Sequence, residues 1–136
     1  VCRGNWTTDE SVLLQGAYDK LGKFFDALDL DMLALEFSTP RAGEVEKLFS
    51  NNFLDTRVML GFGCVNPRSE VIETPEEIVA RVEEVLQFLP PERIWLNPDC
   101  GFATFAKRPL NPYPIIQKKL ENMVAASKIL REKYCK

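Results

Sequence analysis

Arg93-Ile94-Trp95-Leu96-Asn97-Pro98-Asp99-Cys100-Gly101 is the stretch on which the fold is decided. A short apolar run, residues 93–97, reads as a strand, and Pro98 and Gly101 turn it into a loop. That loop opens with a carboxylate and a thiol side by side. Two other stretches place such a group in the same way. Glu36 lies near the end of the run Asp31-Met32-Leu33-Ala34-Leu35-Glu36-Phe37, and Cys2 precedes the loop Arg3-Gly4-Asn5-Trp6. If these segments are neighbouring parallel strands, Cys2, Glu36 and Cys100 converge at one rim of the sheet. Two sulfurs and a carboxylate oxygen form three positions of a zinc shell.

Between these stretches strands and helices alternate. A helix is expected over residues 11–29, with Leu21, Phe24, Phe25 and Leu28 at helical spacing. A strand at 31–37 puts Met32, Ala34 and Glu36 on one side and Leu33, Leu35 and Phe37 on the other. Both sides are largely apolar, as in a parallel strand covered on both faces. A short helix over 43–52 carries Val45, Leu48 and Phe49, and a strand over 57–65 contains Gly61 and Gly63, a sign of close backbone approach or a bulge. Thr74-Pro75-Glu76-Glu77 reads as a capping box with Pro at the first helical position. Ile78, Val82, Val85, Leu86 and Leu89 then give the buried face, and Pro90-Pro91 stops the helix. Residues 101–112 form a long loop rich in Pro and aromatics. A last helix over 113–134 buries Ile116, Leu120, Met123, Val124 and Leu130.

Strict alternation means parallel strands with right-handed crossovers. Three strands and the end of a fourth make neither a closed barrel nor a comfortable open sheet. Half of a (β/α)8 barrel fits, and sites in such barrels lie at the C-terminal ends of strands, where Cys2, Glu36 and Cys100 fall. The whole of 1–136 is read as one such half, with the N-terminal half of the barrel as its partner. The sequence opens on Val1 as though a strand had begun earlier, and a longer polypeptide is expected.

Composition narrows the function. The 136 residues are 46% hydrophobic and 27% charged, ordinary for a globular domain. The net charge of −3 argues against a nucleic-acid partner. No apolar run approaches the roughly 20 residues a membrane span needs, and no signal peptide is evident, so a cytoplasmic setting is expected. Four cysteines and no histidine leave Cys, Asp and Glu as the metal ligands on offer. Thiolate-bound zinc can hold a substrate thiol deprotonated at neutral pH, which makes a nucleophile for alkyl transfer. The same residues have plainer uses. A buried Cys is often a small hydrophobe, which is the preferred reading for Cys64, and Cys135 reads as an exposed thiol. Asp99 either supports a ligand or caps its own turn. Arg41 and Arg68 either grip a substrate carboxylate or are solvated. Trp6, Phe102 and Phe105 either line a pocket or cover loops.

The residues 92–101 closely resemble the zinc-cysteine motif near the C-terminus of cobalamin-independent methionine synthases. Leu33-Ala34-Leu35-Glu36 is similar to that family's strand ending in a zinc-binding Glu, and residues 120–127 look like its final helix. Val1-Cys2-Arg3-Gly4-Asn5 resembles the His-x-Cys pair of the shorter, single-domain members, with the His falling just before Val1. The resemblance implies a zinc methyltransferase on a (β/α)8 barrel. Its ligands would be Cys2, Glu36 and Cys100, supported by Asn97 and Asp99. Homocysteine would be the thiol, and a folate or another carrier the methyl donor. One departure stands out. Where the family carries a histidine after this strand, Cys64-Val65-Asn66-Pro67-Arg68-Ser69 has none, and Arg68 lies near its place. Two other readings follow: a related alkyltransferase or lyase acting on another thiol such as coenzyme M, and a non-catalytic half-barrel scaffold. With half the barrel and one ligand outside these residues, the piece alone is expected to be inactive.

Overall fold

The computed structural model describes residues 1–135. Three parallel strands, β1 (Met32–Glu36), β2 (Met59–Val65) and β3 (Ile94–Pro98), form one sheet in that spatial order. Its helices are α1 (Gly22–Ala27), α2 (Val45–Leu48), α3 (Leu54–Arg57), α4 (Pro75–Val85) and α5 (Tyr113–Tyr134). The result is an α/β fold on a parallel sheet, as the alternation requires.

The register sorts the side chains. Leu33, Leu60 and Ile94 share one row, and Leu35, Phe62 and Leu96 the next on the same face. This face carries the core. Leu35, Phe62 and Leu60 are almost fully buried, with Ile78, Val82, Val85 and Leu89 of the α4 region packed in the same cluster. Phe37 stacks on Phe62 at 5.3 Å, and Tyr18 lies 5.1 Å from Phe37. Each such side chain contributes roughly 1.5–3 kcal/mol on burial. The opposite face carries Ala34, Gly61 and Trp95 in one row and Glu36, Gly63 and Asn97 in the next. It is open: Ala34 is exposed and Trp95 is 59% exposed. The expectation of cover on both faces is therefore corrected for these residues, because only one face meets helices.

Local signals explain most of the elements. The Thr74 hydroxyl accepts from Glu77 N while the Glu77 carboxylate accepts from Thr74 N, so α4 opens on a full capping box. α5 covers the span read from sequence, but its inward stripe is Lys119, Ala126 and Leu130, buried, with half-buried Met123 between them. Leu120 and Val124, expected inside, lie exposed one step around the helix, because α5 turns its 119–130 stripe toward the core.

The first connection differs most from the reading. Residues 11–29 are not one helix. Short 3-10 turns at Glu10–Val12 and Tyr18–Leu21 flank an extended stretch, and α1 starts only at Gly22. Gly16 sits at φ 132°, a conformation that ends any helix here. Phe25 is buried, while Leu21 and Phe24 are exposed. Of the helix expected over 43–52 only α2 forms, and a separate turn, α3, follows beyond that span. Residues 1–3 form no strand. They run beside β1 with one backbone bond, Val1 N donating to Ala34 O at 2.6 Å. No helix among the described residues is long and apolar enough to cross a membrane.

Candidate metal centre

The C-terminal ends of the strands carry the polar residues. Glu36 closes β1, Cys100 follows β3, and Cys2 approaches from the N-terminal segment. One ligand atom from each lies within 4.8 Å of the other two. Cys100 Sγ is 3.2 Å from Cys2 Sγ and 3.2 Å from Glu36 Oε1. Glu36 is 1% exposed, Cys100 half-buried and Cys2 exposed. Burial, then the contacts with Cys2 and Glu36, push the Cys100 thiol well above its ordinary range.

The donor set fits zinc. Two sulfurs with a carboxylate oxygen suit a borderline-soft cation and not Mg²⁺ or Ca²⁺, which take oxygen. A tetrahedral ion would gain three ligands here and keep one position for another group.

Buried ion pairs surround the cluster. Arg41 Nη2 donates to Glu36 Oε2 at 2.9 Å, and Arg3 N donates to Glu36 Oε1 at 2.9 Å. Arg68 Nη2 donates to Asp99 Oδ2 at 2.9 Å. Glu10 stands between the two arginines, 3.0 Å from Arg68 Nε and 3.8 Å from Arg41 Nε. Charges therefore alternate from Glu36 through Arg41, Glu10 and Arg68 to Asp99. Burial works against the Arg68 charge, but its hydrogen bonds to Glu10 and Asp99 outweigh it and raise the pKa. Burial also raises the Asp99 carboxyl, against hydrogen bonds from Ser38 and Arg68 that pull it down.

Asp99 reaches across the sheet. Its Oδ1 accepts from Phe37 N at 3.1 Å and Ser38 N at 3.0 Å, two strands away, and Ser38 Oγ donates to Oδ2. Gly63 makes this crossing possible. A Cβ there would lie 2.5 Å from Asp99 Oδ1 and 2.6 Å from Leu35 O. The register of β2 against β3 also shifts here, Gly63 pairing with Asn97 and Val65 with Pro98. Cys64 occupies the shift, fully buried, its thiol pushed up to about 12 chiefly by burial.

Of the residues singled out in the sequence, Cys2, Glu36 and Cys100 come together, with Arg41 bonded to Glu36 and Asp99 paired with Arg68. Neither guanidinium faces solvent: the Arg41 and Arg68 side chains are 4% and 0% exposed. Asn97 turns away, donating from Nδ2 to Pro98 O at 2.8 Å. Trp6 and Phe105 are exposed, and Phe102 packs on the core. A cavity of about 420 Å³ between α4, β3 and α5, lined by Trp95, Met123 and Leu130 among others, includes none of the cluster. Arg3, Glu10, Tyr18 and Ser38 escaped the sequence reading. The Glu10 carboxylate stands below the usual range because hydrogen bonds from Arg68 and Asn66 outweigh its burial. Nothing in the local sequence around these four marks them, since their partners lie 15 to 61 residues away.

A parallel α/β domain with a thiol–carboxylate cluster at its strand ends is the class that fold and site define. Residues 8–129 match the family model described as "Cobalamin-independent synthase, Catalytic domain". This chain belongs to the cobalamin-independent methionine synthase family. It is 36% identical over 117 residues to a methionine synthase of Sulfurisphaera tokodaii, covering 86% of this chain and 31% of that protein. It is 32% identical over 114 residues to one of Thermococcus kodakarensis, covering 84% and 31%. With the 5-methyltetrahydropteroyltriglutamate–homocysteine methyltransferase of Candida albicans it shares 33% identity over 108 residues, 79% of this chain and 13% of that protein. The fold matches a B12-independent methionine synthase from Shewanella sp. W3-18-1, solved in complex with selenomethionine, with a TM-score of 0.75 at 18% identity. The match covers 98% of this chain and 38% of that one. The chain thus spans about a third or less of the curated relatives it matches.

Proposed function

We propose that residues 1–136 are the C-terminal half of a (β/α)8 barrel that binds zinc through Cys2, Glu36 and Cys100 and transfers a methyl group to a thiol. Homocysteine is the thiol, methyltetrahydrofolate or another carrier the donor, and methionine the product. The observation that carries this is the convergence of two sulfurs and a buried carboxylate within 4.8 Å at the strand ends. The open sheet face, with Ala34 and Trp95 uncovered, supports a barrel interior awaiting its other half. A cytoplasmic setting belongs to this reading and rests on the sequence alone.

Zinc held there would supply the Lewis acidity that keeps an incoming thiol deprotonated at neutral pH. The chain's own residues do the rest. Arg41 and Arg3 N fix the two oxygens of Glu36, so that Oε1 faces the sulfurs. Arg68 and Asp99 anchor the start of the Cys100 loop to the end of β1. Both arginines act by positioning, since their side chains are buried on protein carboxylates.

One observation favours a second thiol substrate. The loop after β2 bears Arg68, tied to Asp99 and Glu10, and the chain holds no histidine to move a proton there. Coenzyme M or a similar thiol is the alternative acceptor. The test is transfer of a labelled methyl group by the full-length polypeptide, with homocysteine and coenzyme M offered separately. Labelled methionine supports the first reading. Methylation of coenzyme M alone would select the second, and no transfer to any thiol would leave the scaffold reading.

A further inference from the structure

Strand β1 is an edge strand beyond Ala34, yet the residue at its rim is a ligand candidate that tolerates little movement. In a parallel strand, alternate residues turn their backbone groups to opposite neighbours. Phe37 N donates to Gly63 O of β2. The Glu36 amide and carbonyl point the other way, where no strand lies alongside among the described residues. A phenol takes the strand's place. Tyr18 Oη accepts from Glu36 N at 3.1 Å and donates to Glu36 O at 3.1 Å. It also accepts from Arg3 Nε at 3.3 Å. A phenolic oxygen has one proton to give and two lone pairs, so its capacity is filled. The Arg3 guanidinium lies over the Tyr18 ring, 4.2 Å from its centre, and Arg3 N donates to Glu36 Oε1. Arg3 follows Cys2 directly. The hydroxyl is therefore bonded to the main chain of one cluster residue and to the neighbour of another, while Tyr18 itself is fully buried and touches no ligand atom.

We infer that Tyr18 is a positioning residue for the metal site: its hydroxyl locks the Glu36 backbone and, through Arg3, brings the Cys2 segment to it. This rests on the zinc reading above. Removing the hydroxyl frees both the direction of the Glu36 side chain and the approach of Cys2, and loss of such a partner typically weakens metal binding about 10–100-fold.

The test uses the full-length polypeptide. Tyr18→Phe keeps the ring against Phe25 and Phe37 and removes only the hydroxyl. Val85→Ala is the control, a change in the α4 part of the core cluster. Zinc affinity is read by competition with a chromophoric chelator, and the Co²⁺-substituted protein by its sulfur-to-cobalt absorption. The expected result is about a tenfold or greater loss of affinity and an altered cobalt spectrum in Tyr18→Phe. Val85→Ala should bind as the parent does despite a lower Tm. Parent-like affinity in Tyr18→Phe would overturn the inference, as would equal losses in both variants, since binding would then merely follow stability. Should Tyr18→Phe fail to fold, Arg3→Met tests the same link, with loss expected and parent-like binding overturning it. A parent that binds no zinc would overturn the zinc reading and this inference with it. A parent with one zinc and an indifferent Tyr18→Phe would overturn the inference alone.

Discussion

The two faces of the sheet are built on opposite principles. One is filled by volume: Leu35, Phe62 and Leu60 lock against Ile78, Val82 and Val85. The other is thinned by Gly61 and Gly63, left open at Ala34 and Trp95, and held at its rim by buried ion pairs. The packed face sets stability through apolar area. The open face gives up packing so that the side chain of Asp99, just past β3, can cross β2 and reach the end of β1. A site with fixed polar groups needs that arrangement, because each charge must meet a partner before it is buried.

The sharpest way to break the contrast is to remove one element of each kind. Phe62→Ala on the packed face should cost about 3–5 kcal/mol by the cavity it leaves, read from the denaturant midpoint. Arg68→Met at the open rim should cost as much, about 3–5 kcal/mol, by stranding Asp99. The two then separate on rescue. Arg68→Met with Asp99→Asn should recover much of the loss, since the stranded charge is gone while an amide oxygen still accepts from Phe37 N and Ser38 N, whereas no second change on the open face should rescue Phe62→Ala. A cost below about 1 kcal/mol for Arg68→Met would mean that the rim is not held by its ion pairs.

A smaller effect is expected at Gly63→Ala. The added methyl meets the Leu35 carbonyl, which is backbone and cannot swing aside. Overpacking of this kind costs roughly 1–3 kcal/mol, and Asp99 should lose its bonds to Phe37 and Ser38. Unchanged stability would show that the crossing is not tight. Far from either face, Thr74→Ala should cost about 1 kcal/mol at neutral pH through the lost cap. Hydrogen bonds from Thr74 hold the Glu77 carboxyl below its ordinary 4.5. Its contribution is therefore present above that value and fades as the pH falls through the lower, folded-state value. The gap between the wild type and Thr74→Ala should accordingly narrow in acid without closing, since the bond from Glu77 N to the Thr74 hydroxyl does not titrate, and a gap that widened there would contradict the assignment.

The smallest effect is a silence. Cys64 is buried with its thiol pushed up to about 12, so a thiol reagent at pH 8 should leave it unmodified in the native state, while exposed Cys135 reacts. Mass mapping of labelled peptides reads this directly.

The sequence speaks most clearly where a pattern is local. β1 shows in its apolar run, α4 in its capping box and α5 in its unbroken length between Pro112 and Tyr134. The convergence of Glu36 and Cys100 was readable because strand ends of a parallel sheet share one rim, whereas Cys2 joins them from a segment that forms no strand. Long-range chemistry was not readable. The spacing of Leu21, Phe24, Phe25 and Leu28 suggests one helix over 11–29, but the φ of Gly16 and the seating of Tyr18 against Glu36 break it before Gly22. Lys119 looks like a surface cation, yet it is buried and donates to Glu73 Oε2 at 2.8 Å. Arg41 and Arg68 looked free to grip a substrate, and only the packed chain reveals the carboxylates that hold them.

The central claim is the metal site, and zinc content per chain tests it most directly. The full-length polypeptide and its Cys100→Ser variant would be purified side by side and analysed by plasma mass spectrometry. About one zinc per chain in the parent and little in the variant is the result expected of a site built on Cys2, Glu36 and Cys100. No zinc in either, or equal zinc in both, would contradict it.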